Sequence, residues 1–145
     1  MLADLAIHYY QAHQDWGVIV PYLAQAEMIR RLLVGRVGDA DSVRLNVGTV
    51  NSFQGAERDV ILYGFTRSNP ERRIGFLSEL RRLNVAISRP RIQLVLVGDL
   101  ETLTEARDRG FRELARSLRD YTAGSGEIVS HSAARSRLGA GGMAP

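Results

Sequence analysis

Nineteen arginines and not one lysine are the first chemical fact of this 145-residue chain. Residues 67–91 hold seven arginines against two acids, whereas residues 1–66 hold five against seven and residues 92–145 hold seven against seven. The guanidinium is a permanently charged planar fork that matches phosphate and carboxylate oxygens. A basic block inside a nearly neutral chain therefore points to a nearby polyanion, either nucleic acid or a nucleoside triphosphate; a solvated helix face accounts for the same charge equally well. Just ahead of the block, the polar run Asn51–Asp59 interrupts two apolar stretches. Within it Gly55 permits close approach of backbone to a ligand. Thr49, Ser52 and the neighbouring backbone N–H groups are of the kind that grip nucleic-acid phosphates without reading sequence.

What is missing narrows the chemistry further. A phosphate-binding loop of the form G-x-x-x-x-G-K-[ST] needs its lysine to reach the β and γ phosphates, and without lysine the chain holds neither that loop nor a Schiff-base nucleophile. The absence of cysteine removes disulfides, thiolate zinc sites and thiol nucleophiles together, and suits a reducing cytoplasm. His8, His13 and His131 lack metal-ligand spacing. No G-x-S-x-G run or Ser/His/Asp arrangement supports a self-sufficient hydrolase. The run Leu94–Val97 followed by Gly98-Asp99 imitates the strand of a magnesium-binding motif, but with no phosphate loop upstream Asp99 reads as a helix cap.

The elements that must position these residues alternate. Leu2, Leu5, Ala6, Tyr9 and Tyr10 give a helical repeat over 2–13, and Val18–Val20 a buried strand. Pro21 suits the first turn of a helix whose stripe is Leu23, Ala26, Met28, Ile29, Leu32 and Leu33, ended by Gly35 and Gly38. Val43, Leu45, Val47 and Val50 read as a strand, as does Val60–Phe65. Residues 67–76 form a loop, Leu77–Ile87 a helix broken near Pro90, Ile92–Val97 a strand, and 102–121 a last helix capped by Asp99. Near-continuous apolar strands alternating with helices predict an α/β fold, a mostly parallel sheet covered on both faces, with ligands at the carboxyl ends of its strands. One domain over residues 1–121 is expected, followed by a flexible Gly/Ser/Ala-rich tail over 122–145. Apolar runs fall far short of the roughly 20 residues a bilayer crossing needs, so a cytoplasmic protein with no membrane partner is expected.

Two segments carry a family resemblance. Thr49-Val50-Asn51-Ser52-Phe53-Gln54-Gly55-Ala56-Glu57-Arg58-Asp59-Val60-Ile61, and Gly75-Phe76-Leu77 followed by Arg81-Arg82-Leu83-Asn84-Val85-Ala86-Ile87-Ser88-Arg89-Pro90-Arg91, resemble motifs V and VI of superfamily 1 helicases of the nonsense-mediated-decay RNA helicase type. Gly17–Gln25 is similar to motif IV, matching at Pro21, Tyr22 and Gln25. The chain departs from the patterns at Asn51 for Asp, Val20 and Ser88 for Thr, and Pro90 for Ala.

This resemblance implies a RecA-like P-loop NTPase fold without its own P-loop: the second, C-terminal domain of a two-lobed motor, with ATP in the cleft between lobes and single-stranded DNA or RNA across both. The first RecA-like domain would be its partner and would hold ATP and Mg. Arg89 aligns with the arginine finger that reaches the γ phosphate, where such fingers contribute about 10³ to 10⁵ in rate. Glu57 aligns with an acid near the ribose and phosphates, and Gly55 would let backbone approach the nucleotide. Pro21, Tyr22, Thr49, Asn51 and Ser52 would belong to the nucleic-acid track. Plainer readings stand beside these: Arg89 as the partner of an acid or a cap on its helix, Gly55 as a turn glycine, Glu57 as a solvated turn acid. Phe53 reads as core, and Tyr22 as core or a base-stacking platform. A non-enzymatic nucleic-acid-binding or protein-docking module derived from such a domain is the alternative for the whole chain.

Overall fold

Side-chain alternation along four strands divides the apolar residues between two cores, one on each face of a sheet. A computed structural model of the chain describes residues 1–53, 56–65 and 80–139, with 80–82 by backbone only. The strands β1 (Trp16–Val20), β2 (Val47–Thr49), β3 (Arg58–Gly64) and β4 (Pro90–Val97) are all parallel, in the order β2-β1-β3-β4. Residues i and i+2 of a strand share a face. Val18, Val20, Val60 and Leu62 accordingly pack with helices α1 (Leu2–Gln11) and α2 (Leu23–Val37) through Leu5, Ala6, Ile29 and Leu33. Ile19, Ile61 and Tyr63 face the other way. They pack with Phe53, with Leu83 and Ala86 of α4 (Leu80–Ile87), with Leu103 of α5 (Leu100–Thr104), and with Phe111 and Ala115 of α6 (Arg109–Ser125). Each fully buried Val, Leu or Ile contributes about 1.5–3 kcal/mol. The α/β fold with a parallel sheet and helices on both faces is the one expected from the sequence.

Several local expectations give way. Val43 and Leu45 lie in helix α3 (Ala40–Asn46), not in a strand, because the Asp39 carboxylate caps it by accepting the Ser42 N–H at 2.9 Å. Val43 is then buried while Leu45 is 72% exposed, a one-sided burial that a helix allows. Val50 begins a 3-10 turn (Val50–Phe53) rather than extending β2. Pro21 precedes the N-cap Tyr22 and is not helical; Gly35 sits inside α2, and Gly38 alone ends it, at φ 73°. The Asp99 cap is present, its carboxylate accepting the Thr102 N–H at 3.1 Å. The single helix expected over 102–121 is two, because Asp108 caps a new one by accepting the Phe111 N–H at 2.7 Å. Helix α6 continues to Ser125, and α7 (His131–Gly139) lies within the stretch read as a tail. Among the described residues no helix is long and apolar enough to cross a membrane.

Candidate functional site

The carboxyl ends of β1 and β2 bring five of the candidate residues together. Val20 is in register with Thr49, so Pro21 and Tyr22, which follow β1, stand beside the 3-10 turn that follows β2. Pro21 is buried, Tyr22 and Thr49 are half-buried, and Asn51 and Ser52 are exposed. The Ser52 hydroxyl donates to the Thr49 carbonyl at 2.8 Å, which closes the turn; a phosphate would take that proton only by displacing this bond. Phe53, 2% exposed, anchors the turn in the second core, as its reading as core requires. Glycine at 48 is a position the motifs did not flag. A Cβ there would collide with Ser52 Oγ, so the turn folds directly over β2 because that residue has no side chain.

Glu57 and Arg89 stand at the opposite end of the sheet. Both sit on connections that enter a strand: Glu57 immediately precedes β3, and Arg89 immediately precedes β4. They therefore lie at amino ends, not at the carboxyl ends where ligands of parallel sheets usually gather. Backbone joins the two segments, the Arg58 N–H donating to the Arg89 carbonyl at 3.2 Å. Glu57 is exposed. Arg89 is half-buried, its Nε donating to the Val85 carbonyl at 3.1 Å and its Nη2 to Ser88 Oγ at 3.4 Å. That geometry satisfies a carbonyl in the last turn of α4 and sets positive charge at the negative end of the helix dipole. The capping role foreseen as the plainer reading of Arg89 is thus present.

Around this end lies an ion-pair network that motif reading did not single out. Arg91 donates through Nε to Asp59 at 2.8 Å and through Nη2 to Asp15 at 2.7 Å. The Asp59 carboxylate raises the already high pKa of Arg91, with Asp15 and Glu57 adding to it. Arg58 lies 3.4 Å from Asp15, donates to Asn46 Oδ1 at 3.0 Å, and sits 6.0 Å above the Phe53 ring. Of the three arginines here, two are neutralised by carboxylates; Arg89 has no acidic partner among the described residues. Connectivity alone could have located the network, since residues that begin or immediately precede parallel strands share one end of the sheet. Gly55, the side chains of Arg81 and Arg82, and residues 67–79 of the basic block lie outside the described residues.

Comparison with known proteins adds lineage to this geometry. The chain is 47% identical over 87 residues to the DNA polymerase alpha-associated DNA helicase A of Saccharomyces cerevisiae, which covers 60% of the chain and 12% of the relative. It is 40% identical over 87 residues to Helicase sen1 of Schizosaccharomyces pombe, covering 60% of the chain and 5% of the relative. To the DNA-binding protein SMUBP-2 of Mesocricetus auratus it is 31% identical over 127 residues, 88% of the chain and 11% of the relative. The chain thus spans a small fraction of the length of these relatives. Residues 1–101, which include every candidate residue, match a family model described as an AAA domain, and the chain accordingly belongs to the AAA domain family as a helicase-type domain.

Proposed function

We propose that this chain is the second motor domain of an ATP-dependent superfamily 1 helicase or translocase of the nonsense-mediated-decay type, acting on single-stranded DNA or RNA. Arg89 is its arginine finger, Gly55 and Glu57 are nucleotide-binding, and Pro21, Tyr22, Thr49, Asn51 and Ser52 form part of the nucleic-acid track. One observation carries the reading: Arg89 is the arginine at the amino end of β3 and β4 that no described carboxylate neutralises, on backbone bonded directly to the segment bearing Glu57. Charge left unpaired is available to a phosphate; charge held between two aspartates is not.

The residues present fit the outer edge of a triphosphate rather than its metal. Among the described residues no group of three or more carboxylates and histidines could hold magnesium, and the chain has no lysine for the β and γ phosphates. On this reading ATP and Mg are held mainly by a first RecA-like domain, the principal partner. When bound, the metal nucleotide supplies the phosphoryl group to be cleaved. The part of this chain is to present Arg89 to the charge that spreads over that group, which requires the Nε bond to Val85 to open or the terminal nitrogens to project past the cap.

The test joins the chain to a P-loop-bearing first lobe and replaces Arg89 with alanine. Turnover is expected to fall by at least about 10²-fold while single-strand affinity without nucleotide is unchanged. Arg89→Lys is expected to rescue little, since a point ammonium lacks the fork. Full turnover in Arg89→Ala would refute the reading. The alternative, a non-enzymatic nucleic-acid-binding or docking module, draws support from the helix cap that Arg89 makes, and it requires strand binding that is indifferent to nucleotide in the joined protein.

A further inference from the structure

The start of the β3–β4 ladder is irregular. Arg58 is in register with Pro90, but Val60 is in register with Gln93, so Asp59 faces two residues, Arg91 and Ile92. An extra residue of this kind leaves ladder groups unpaired and bends the strand locally. Apolar packing does not hold it down, since Ile92 is 77% exposed. What spans the irregularity is Arg91, whose two contacts reach Asp59 on the neighbouring strand and Asp15 ahead of β1. Two residues upstream on the same stretch, the Arg89 carbonyl accepts the Arg58 N–H at 3.2 Å, the bond that ties the Arg89 segment to the Glu57 segment.

We propose that Arg91 is a positioning residue. Clamped between Asp59 and Asp15, it fixes the register at the start of β3 and β4 and so holds the backbone that presents Glu57 and Arg89. In this role its charge is balanced by Asp59 and Asp15, and it acts through the backbone it holds rather than by contact with phosphate. The catalytic half of this proposal rests on the reading of Arg89 as the finger; the structural half does not.

The structural half is tested on the 145-residue chain by amide hydrogen exchange in Arg91→Gln and Asp59→Asn. A half-exposed ion pair contributes modestly, so exchange of the Arg58 N–H is expected to quicken about 3- to 5-fold in both variants while Ile19 and Leu62 in the middle of the sheet are unchanged. Unchanged exchange at Arg58, or equal acceleration throughout the sheet, overturns the clamp. The catalytic half is tested on the chain joined to a P-loop-bearing lobe. Asp59→Asn and Arg91→Gln are each expected to lower kcat by about 10-fold with KM for ATP little changed, and Arg91→Lys to restore part of it. If Asp59→Asn leaves kcat intact while Arg91→Gln destroys it, Arg91 meets the nucleotide directly and the positioning role is overturned; if neither variant changes kcat, the role is overturned as well. Full turnover in an Arg89→Ala control instead refutes the domain reading and removes the catalytic half with it, leaving the exchange experiment to decide the clamp.

Discussion

Replacing Gly48 with alanine is a one-methyl test of how the turn after β2 is held. The added Cβ would collide with Ser52 Oγ and lie 3.1 Å from Ser52 Cβ and 3.4 Å from the Phe53 ring. The Ser52 hydroxyl cannot swing away without cost, because it is bonded to the Thr49 carbonyl at 2.8 Å. Two effects oppose each other. Gly→Ala in a strand gains about 0.4–1 kcal/mol from a less flexible unfolded chain. Forcing a methyl into a filled space costs about 1–3 kcal/mol. Overpacking wins, for a net loss of about 1–2 kcal/mol. The partner substitution Ser52→Gly removes both close atoms and leaves only the ordinary 3.4 Å contact with Phe53. On that background Gly48→Ala is expected to be neutral or slightly stabilising, so a double-mutant cycle should give a coupling of at least about 1 kcal/mol. Urea unfolding followed by the fluorescence of Trp16, the chain's one tryptophan and 3% exposed, measures all four proteins. Equal costs of Gly48→Ala with and without Ser52 would refute the steric account, as would any gain in stability from the single change.

Two further outcomes follow from burial. Tyr63 is 2% exposed, and burial, reinforced by the charge of Tyr22, pushes its pKa up from 10.0 to about 12. The unfolded chain then releases this proton first as pH rises, so stability is constant up to about pH 10 and falls by about 2–3 kcal/mol on the way to pH 12; urea midpoints over that range should fall in the parent and stay flatter in Tyr63→Phe, and identical slopes would refute the assignment. Helix α7 buries no residue and touches the first core only through the partly buried Leu138, so its amides are expected to show no more than about 10-fold protection; protection equal to that of Leu62 would mean the segment beyond α6 is an integral part of the domain.

The central strands β1 and β3 were legible because burial on both faces leaves little choice of residue. β1, β3 and β4 are each built round a short apolar run, Val18–Val20, Val60–Tyr63 and Leu94–Val97, and such runs mark sheets covered on both sides. The Asp99 cap was legible because its carboxylate stands three residues before the amide it accepts. Helix α3 was not, since Val43, Leu45 and Val47 alternate as a strand would, and only the capping geometry of Asp39 decides against it. The break before α6 was hidden for a similar reason: no glycine or proline lies between Leu103 and Arg109, and Asp108 restarts the helix by its cap alone. At the site, residue types were legible and partners were not. Nothing near Arg91 in sequence announces Asp15, 76 positions away, although the placement of both at the amino ends of parallel strands follows from the connectivity.

The same connectivity brings one short stretch of chain to both ends of the sheet. The motif from Thr49 to Asp59 begins at the carboxyl end of β2 and finishes inside the amino end of β3, so one short stretch touches both groups of candidate residues. Its apolar anchor is Phe53. The ring packs so closely against the neighbouring strands that a Cβ at Gly17 would lie 2.8 Å from it and one at Gly48 3.4 Å, and the Arg58 guanidinium rests 6.0 Å from its centre. Asn51 and Ser52 precede this ring directly, and Arg58 bonds onward to the Arg89 carbonyl. Interiors packed at this density do not absorb a displacement locally; they pass it to whatever the ring touches. The glycines at 17 and 48 are what allow that ring to lie against β1 and β2, so a methyl at either position is expected to disturb the turn that carries Asn51 and Ser52.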